Sequence, residues 1–200
     1  MRNTDNWKGY YDAIEDRPSK ALVRAIQNYC KEKDYALDIA AGNLRDTKYL
    51  LEEGFNVVAI DPSPVSIKLA GDLKNEDLTM FPDLVGAYEF PKNHFSVVNA
   101  QGILFHLPEP RFSFVINKIS QTLKKGGVLC ADFIGEKDTW NYPGTSKTIV
   151  TPEKLKEVFA DFEIVFLRES EQDETEEFAK KKGASKPKHW HHINIIAIKN

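Results

Sequence analysis

The sequence predicts a doubly wound α/β fold, with a mostly parallel seven-stranded sheet that ends in a C-terminal antiparallel hairpin. The first observation is that apolar strand patterns alternate with amphipathic helix patterns along most of the chain. The second is a strand, helix, strand unit over residues 35–61, with small residues at its first turn. The third is a pair of consecutive strand patterns, 162–169 and 190–198, whose polar connection favours antiparallel pairing.

Caps and periodicity place the elements in order. An amphipathic helix over 18–31 begins at Pro18-Ser19, and Ser63 begins another helix. Apolar residues recur at intervals of three and four over 109–124, which predicts a helix with one buried face that Gly126 stops. The other predicted elements are strand 35–40, helix 45–53 closed by Gly54, strand 56–61, strand 128–134 and helix 151–159, whose start Thr151-Pro152-Glu153 supplies an N-cap, a first-turn proline and an acid.

Composition favours one domain over residues 1–200. The chain has 200 residues, of which 42% are hydrophobic, enough for one sizeable core. A net charge of -3 gives no basic footprint, so no nucleic-acid partner is expected. No apolar run approaches the ~18 residues of a membrane helix, and no signal peptide is visible, so we expect no membrane partner and a cytoplasmic location. Cys30 and Cys130 are expected to be reduced thiols.

The turn after the first predicted strand is typical of a nucleoside site. Small side chains at Ala40 and Gly42 let the backbone approach a ligand, and the next helix start offers free N–H groups. Asp61, at the end of the second strand, is placed to accept hydrogen bonds from ribose hydroxyls. A pyrophosphate-binding turn needs three glycines, but Ala40, Gly42 and Arg45 stand at those positions. Asp38 instead suits a ligand with an ammonium group.

The order Asp-x-Ala-x-Gly-x-x-Arg, followed by Ala-Ile-Asp-Pro-Ser-Pro, resembles the class I S-adenosylmethionine-dependent methyltransferases, and more narrowly their small tellurite-resistance-type branch. The resemblance covers residues 7–199 and implies a Rossmann-like class I methyltransferase fold. It also implies S-adenosylmethionine as cofactor and S-adenosylhomocysteine as product. The implied cofactor contacts are Asp38, Ala40, Gly42 and Ala100 for the methionine part, Asp61 and Pro62 for the ribose, and Asp83 for the adenine amino group. The family often has glycine where this chain has Ala40 and Leu44.

Two aromatic segments have a functional and a structural interpretation. Residues 1–17 carry Trp7, Tyr10 and Tyr11 and resemble the family's N-terminal cover, in which Tyr11 would face the sulfonium and Arg17 would pair with the cofactor carboxylate. The alternative is packing together with a surface arginine. The loop 140–145 would form a wall of the substrate site, or its aromatics would simply cover the sheet end.

Histidines supply the remaining candidates. His106, just past the fourth strand, is a candidate base, with a hydrogen-bonded structural role as the alternative. Strand alternation puts His189 and His191 on one face and His192 on the other, so no metal site is predicted. Residues 171–188 are acidic at first and basic afterwards. This pattern predicts a solvated hairpin loop, with a segment folded over the substrate as the alternative.

The sequence therefore predicts methyl transfer to a small-molecule acceptor, achieved mainly by positioning donor and acceptor. The alternatives are a non-catalytic S-adenosylmethionine-binding regulator and an NAD-dependent oxidoreductase. The acceptor and the oligomeric state stay open.

Overall fold

The computed structural model describes Gly9, Tyr11 and residues 16–200. Its strands are β1 Tyr35–Ile39, β2 Asn56–Ile60, β3 Leu78–Phe81, β4 Phe95–Ala100, β5 Leu123–Ile134, β6 Phe162–Asp173 and β7 His189–Lys199. Its helices are α1 Lys20–Asn28, α2 Arg45–Glu52, α3 Pro64–Leu73, α4 Arg111–Thr122, α5 Pro152–Val158 and α6 Glu176–Lys181.

The strands form one seven-stranded sheet in the order β3-β2-β1-β4-β5-β7-β6. The pairs from β3 to β5 are parallel, whereas β7 runs antiparallel to both β5 and β6. The predicted fold class, including the terminal antiparallel hairpin, is confirmed. The strand order reverses between β1 and β4, and this switch point is where open α/β sheets bind ligands.

Side-chain caps begin the helices where the sequence indicated. The hydroxyls of Ser19, Ser63 and Thr151 each accept a hydrogen bond from a first-turn N–H of α1, α3 and α5. Buried apolar side chains cover both faces of the sheet, and all of β4 is buried. No helix in the part of the chain that the structure describes is long and apolar enough to cross a membrane.

Two sequence interpretations were wrong. The helix predicted over 109–124 ends at Thr122. Leu123 already belongs to β5, because it pairs with Phe95 of β4 and its side chain is fully buried. The connection between the last strands is also not a plain solvated loop. Thr175 caps α6 within it, and α6 has acids in its first turn and lysines in its last, a distribution that complements the helix dipole.

Candidate functional site

The turn after β1 adopts left-handed backbone at three positions. Ala40, Gly42 and Leu44 have φ of 61°, 57° and 63°. For an L-residue with a side chain this conformation costs about 1–2 kcal/mol. Ala40 and Leu44 are the positions where the resembled family often has glycine, and the backbone keeps the glycine-type shape there. The Leu44 side chain is fully buried, and its packing offsets the strain that a glycine would avoid.

Asp61, just past β2, ties this turn to the neighbouring strand. Its Oδ2 accepts a hydrogen bond from the Gly42 N–H at 2.9 Å, and its Oδ1 accepts one from the Ser63 N–H at 2.8 Å. Asp61 is buried. Each carboxylate oxygen has a second lone pair, so both can accept a further donor. Pro62 lies half-buried beside it. The sequence placed Asp61 at this edge but gave no sign of its bond to Gly42.

Asp38, in β1, lies in a buried polar cluster. Its Oδ2 accepts from the Thr47 hydroxyl at 2.6 Å, and its Oδ1 accepts from Asn99 Nδ2 at 2.8 Å. Burial, and then the charges of Asp46 and Asp61, raise the pKa of Asp38. The other amide atom, Asn99 Oδ1, is buried and has no hydrogen-bond partner within the described part of the chain. The cluster can therefore accept a donor from a ligand.

The other predicted contacts also lie along this edge. Asp83 follows β3, is exposed, and caps the Leu84 N–H through its Oδ1 at 2.6 Å. Ala100 ends β4 and is fully buried. Tyr11 lies against the turn, since a β-carbon added to Gly42 would be 3.0 Å from Tyr11 Cε1. Arg17 is exposed and lies three residues before the first residue of α1. Trp7 and Tyr10 lie outside the described residues.

A cavity of about 420 Å³ opens next to the end of β4. Of the described residues that line it, three are acidic, one is a histidine and none is a lysine or arginine. Its walls come from the β4 end, β5 and the hairpin with α6. The lining residues are Gly102, Phe105, Asp132, Gln172, Asp173, Glu174, Thr175, Phe178, Trp190 and His192. A second cavity, of about 490 Å³, lies between α4 and residues 145–150. None of its lining residues lies in a strand of the sheet; they come from α4, α5 and the segments that follow β4 and β5.

A buried ion pair supports the wall of the smaller cavity. Lys188 Nζ lies 2.5 Å from Asp138 Oδ1 and 3.3 Å from the centroid of the Trp190 ring. Trp140 packs 5.2 Å from Trp190 and 6.0 Å from Phe105, centroid to centroid. Trp140 therefore stands behind the cavity wall, whereas Tyr142 of the same loop is exposed. Sequence reasoning missed Asp138 and Lys188, and assigned Lys188 to a solvated loop.

His106 lies in the same aromatic cluster and has a hydrogen-bonded position. Its Nδ1 lies 2.6 Å from Lys147 Nζ, and its ring centroid is 5.4 Å from that of Trp140. Burial, followed by the charges of Lys147 and Lys188, lowers the pKa of His106 to about 3. Its Nδ1 already faces the Lys147 amine and its ring packs against Trp140, so the geometry favours the structural role over catalysis.

The three late histidines have separate partners, and their alternation follows the predicted faces. His189 pairs with Asp173, with Nδ1 to Oδ1 at 2.7 Å, and His191 Nε2 lies 2.6 Å from Glu169 Oε1. His192 stacks on Trp190 at 4.7 Å. Among Gly9, Tyr11 and residues 16–200, no group of three His, Cys, Asp or Glu side chains is arranged to hold a metal ion.

Asp132, in β5, is a buried carboxyl that sequence reasoning did not single out. Its Oδ1 accepts a hydrogen bond from the Gly102 N–H at 2.5 Å. Burial raises the pKa of Asp132 to about 6, although the Gly102 N–H and the charge of Arg45 act in the opposite direction. Asp132 thus links the cavity to the strand edge that carries Asp38 and Asp61.

Asp132→Asn is expected to change how stability depends on pH. The folded-state pKa of about 6 lies above the ordinary value of 3.8, so the folded protein binds this proton more tightly than the unfolded chain. The stability that this group contributes is therefore present near pH 4 and is lost as the pH rises through 6. The amide mimics the protonated acid, so the free energy of unfolding of wild type minus variant should fall by on the order of 3 kcal/mol across that window.

Urea denaturation between pH 4 and 7 measures this difference. The exposed Asp77→Asn serves as the matched control and should give a flat difference. A flat difference for Asp132→Asn as well would show that burial does not perturb this carboxyl.

Comparison with known proteins identifies a domain over the middle of the chain. Residues 37–131, which contain the turn, Asp61 and β4, match the family model described as a methyltransferase domain. A comparison with curated protein sequences gives no match.

Solved structures of similar fold include several methyltransferases. The Burkholderia thailandensis 1,6-didemethyltoxoflavin-N1-methyltransferase, solved with 1,6-didemethyltoxoflavin and S-adenosylhomocysteine, is 21% identical, with 98% of this chain and 83% of that chain covered and a TM-score of 0.67. A Haloferax volcanii protein in complex with the Trm112 methyltransferase activator is 15% identical, with 100% and 98% covered and a TM-score of 0.73. TehB from Haemophilus influenzae is 19% identical, with 91% and 62% covered and a TM-score of 0.70.

These likenesses confirm the class I methyltransferase type of fold. The methyltransferase-domain match agrees with the predicted cofactor, S-adenosylmethionine, because it spans the strand edge from which that prediction was made.

Proposed function

We propose that the chain, whose residues 37–131 match a methyltransferase domain, binds S-adenosylmethionine along the β1, β2, β3 and β4 ends and transfers its methyl group to a small-molecule acceptor. The observation that carries the proposal is the left-handed turn at Ala40, Gly42 and Leu44, bonded through the Gly42 N–H to Asp61. Such a turn brings backbone next to a ligand at the switch point of the sheet, with a carboxylate beside it.

The residues fit this cofactor. Gly42 leaves room for the Tyr11 ring, because a β-carbon at this position would lie only 3.0 Å from Tyr11 Cε1. Asp38, Asp46, Asp61 and Asp132 are all buried near the strand ends, and Arg45 is the neighbouring guanidinium. A site with this charge balance suits a ligand that carries ammonium and sulfonium groups. Asn99 Oδ1, for which the described residues supply no hydrogen-bond donor, would accept from the ammonium group.

The roles of the residues follow from their positions. Asp61 and Pro62 hold the ribose, Asp83 meets the adenine amino group, and Asp38, Ala40, Gly42 and Ala100 surround the methionine part. When bound, the cofactor supplies a methyl group activated by positively charged sulfur. The protein holds an acceptor in the cavity beside Gly102, excludes water, and aligns the two reactants. Positioning of this kind is worth ~7 to 11 kcal/mol of barrier in favourable cases.

Residues 1–17 serve as a cover in this proposal. The contact of Tyr11 with Gly42 supports it, as does the approach of Gly9 to Lys182, whose carbonyl oxygen lies 3.2 Å from a β-carbon added to Gly9. The N-terminal segment and the α6 connection would thus approach the site together, and together they would shield it. Arg17 would pair with the cofactor carboxylate.

The small-molecule acceptor is supported by likeness to the Burkholderia enzyme, which was solved with such a compound. The narrower tellurite-resistance-type assignment has weaker support, since this chain covers 62% of TehB at 19% identity. The Haloferax relative was solved with an activator protein, so an activator partner is a second proposal that turnover assays with the isolated chain will test.

Calorimetry tests the proposed cofactor. The protein should bind S-adenosylhomocysteine, with no comparable heat from NAD or NADP, because the turn lacks the glycines of a pyrophosphate site. Asp61→Ala should weaken S-adenosylhomocysteine binding by roughly tenfold to a hundredfold, since the ribose hydroxyls lose an acceptor worth about 1–3 kcal/mol.

A 2′-deoxy analogue of S-adenosylhomocysteine separates a direct ribose contact from the bond between Asp61 and Gly42. If Asp61 holds the ribose, the substitution costs less affinity for the analogue than for the parent ligand. Tight NAD binding without S-adenosylhomocysteine binding would refute the proposed function, and turnover with an acceptor separates an enzyme from a non-catalytic regulator.

A further inference from the structure

The cavity of about 420 Å³ is lined by an imidazole and a carboxylate that have no role in aligning the methyl donor with its acceptor. His192 Nδ1 lies 3.8 Å from Asp132 Oδ2, a gap that a closure of about 0.8 Å turns into a hydrogen bond. Both residues line the cavity next to Gly102. They come from β7 and β5, which pair antiparallel, so the sheet itself fixes their separation.

His192 is held rigidly by its surroundings. Its ring stacks on Trp190 at 4.7 Å with an interplanar angle of 14°, and Trp190 Nε1 donates to Glu174 Oε1 at 2.7 Å. Glu174 in turn pairs with Lys182. An imidazole whose Nδ1 faces a carboxylate and whose ring is fixed by packing has the arrangement of an oriented base, with Nε2 as the proton acceptor.

The charges around the cavity select against anions. Asp132, Asp173 and Glu174 line it, and of the lysines close to its wall, Lys182 is paired with Glu174 and Lys188 with Asp138. Phe105, Phe178 and Trp190 add aromatic surface. An oxyanion or thiolate acceptor would face carboxylates at this position, whereas an uncharged ring with an N–H or O–H group would find acceptors and apolar walls.

We propose that His192 is the base for the methyl acceptor, that Asp132 positions it, and that the acceptor is a small uncharged compound methylated at an N–H or O–H group. This inference rests on the proposed function and deepens it. A lone pair of the acceptor forms the new bond to the methyl carbon as the carbon–sulfur bond breaks and leaves its electron pair on sulfur. The acceptor's proton passes to His192 Nε2 and then to solvent.

The protonation states agree with these roles. Burial, followed by the charge of Lys188, lowers the pKa of His192, so the ring is unprotonated at neutral pH. Asp138 and His191 also act on His192, in opposite directions. Arg45 and Asp46 act on Asp132. A neutral imidazole beside ionised Asp132 places its own proton on Nδ1, toward the carboxylate, and leaves Nε2 free to act.

The test uses the full chain with benzimidazole as an uncharged N–H probe and tellurite as an anionic probe. Calorimetry first establishes S-adenosylhomocysteine binding, so its failure refutes the proposed function rather than this inference. With S-adenosylhomocysteine saturating, benzimidazole should bind saturably and tellurite should not. With S-adenosylmethionine, benzimidazole should be methylated, and His192→Gln should lower kcat by about 10² to 10⁴ while cofactor affinity stays within about twofold.

The matched control is His94→Gln, which changes a histidine immediately before β4, at the end of that strand opposite to Ala100 and the cavity. It should leave kcat unchanged. Asp132→Asn should lower kcat more than it changes KM and should shift the acid limb of the rate profile, which a purely structural role would not do. The inference is overturned if tellurite is the preferred ligand, if benzimidazole fails to bind, or if His192→Gln costs less than about threefold in kcat.

Discussion

Asp138→Ala is expected to lower the free energy of unfolding by about 3–5 kcal/mol at pH 6, because it leaves Lys188 as a buried charge without its partner. The Asp138 carboxylate also accepts from the N–H groups of Trp140 at 2.9 Å and His191 at 3.1 Å, so the substitution removes three hydrogen bonds at once. Urea denaturation followed by tryptophan fluorescence measures the effect.

The pH dependence of this loss is a second readout. Burial lowers the pKa of Lys188 to about 8, and Asp138 acts to raise it. Without Asp138 the Lys188 ammonium has a lower pKa. As the pH rises, the folded variant therefore loses its buried charge at a lower pH than the folded wild type does. The stability deficit should therefore shrink as the pH rises from 6 to 8.

Two variants make the result specific. Glu157→Ala removes an exposed ion pair with Lys154 and should change stability within error. Adding Lys188→Met to Asp138→Ala should recover part of the loss, because the uncompensated charge is gone. A deficit that stays constant with pH and is not recovered in the double variant would show that the hydrogen bonds, and not the charge pair, stabilise this wall.

The fold could be predicted well because its signals are local. Ser19, Ser63 and Thr151 are N-caps that act within one helical turn, and the alternating apolar runs mark strands buried on both faces. α6 was missed because its sequence is mostly charged. Its apolar anchors are Phe178 and the buried Ala179, too few for a periodicity to be visible.

The two parts of the proposed site differ in how far apart their residues lie in the sequence. Part of the proposed cofactor site lies within one strand, helix, strand unit, so the small residues at Ala40 and Gly42 and the acid Asp61 could be interpreted together from their spacing. Much of the wall of the proposed acceptor cavity comes from β5, β7 and α6. Lys188 and Asp138 are 50 residues apart, and only the antiparallel return of β7 beside β5 brings them together. No local pattern carries such a pairing.

Sequence reasoning singled out residues but not their hydrogen-bond partners. Asp38 was singled out as an acid at the strand end, but its bonds to Thr47 and Asn99 depend on where α2 and β4 pack. His192 was weighed only as a metal ligand. Its stacking on Trp190 and its approach to Asp132 arise from strand register, which one sequence does not determine.

Gly42→Val is expected to weaken S-adenosylhomocysteine binding by about 100-fold. The backbone at Gly42 has φ of 57°, which a β-branched residue adopts only with strain, and the new β-carbon would lie 3.0 Å from Tyr11 Cε1. The strain of about 1–2 kcal/mol lowers the free energy of unfolding and affects the free and the bound protein alike. Affinity falls because the displaced turn and Tyr11 no longer meet the ligand; two lost contacts of about 1.5 kcal/mol each, at 1.4 kcal/mol per factor of ten, give the expected loss.

Gly54→Val is the matched control for this prediction. Gly54 also has a positive φ, of 90°, but nothing lies within 4 Å of its added β-carbon. Both variants should lose stability through backbone strain, so only the affinity distinguishes them, and calorimetry should find Gly54→Val unchanged. Tyr11→Ala in the Gly42→Val background removes the ring contact and should restore part of the lost stability. Equal affinity of Gly42→Val and wild type would mean that the turn after β1 does not approach the ligand, and the cofactor site would have to lie elsewhere.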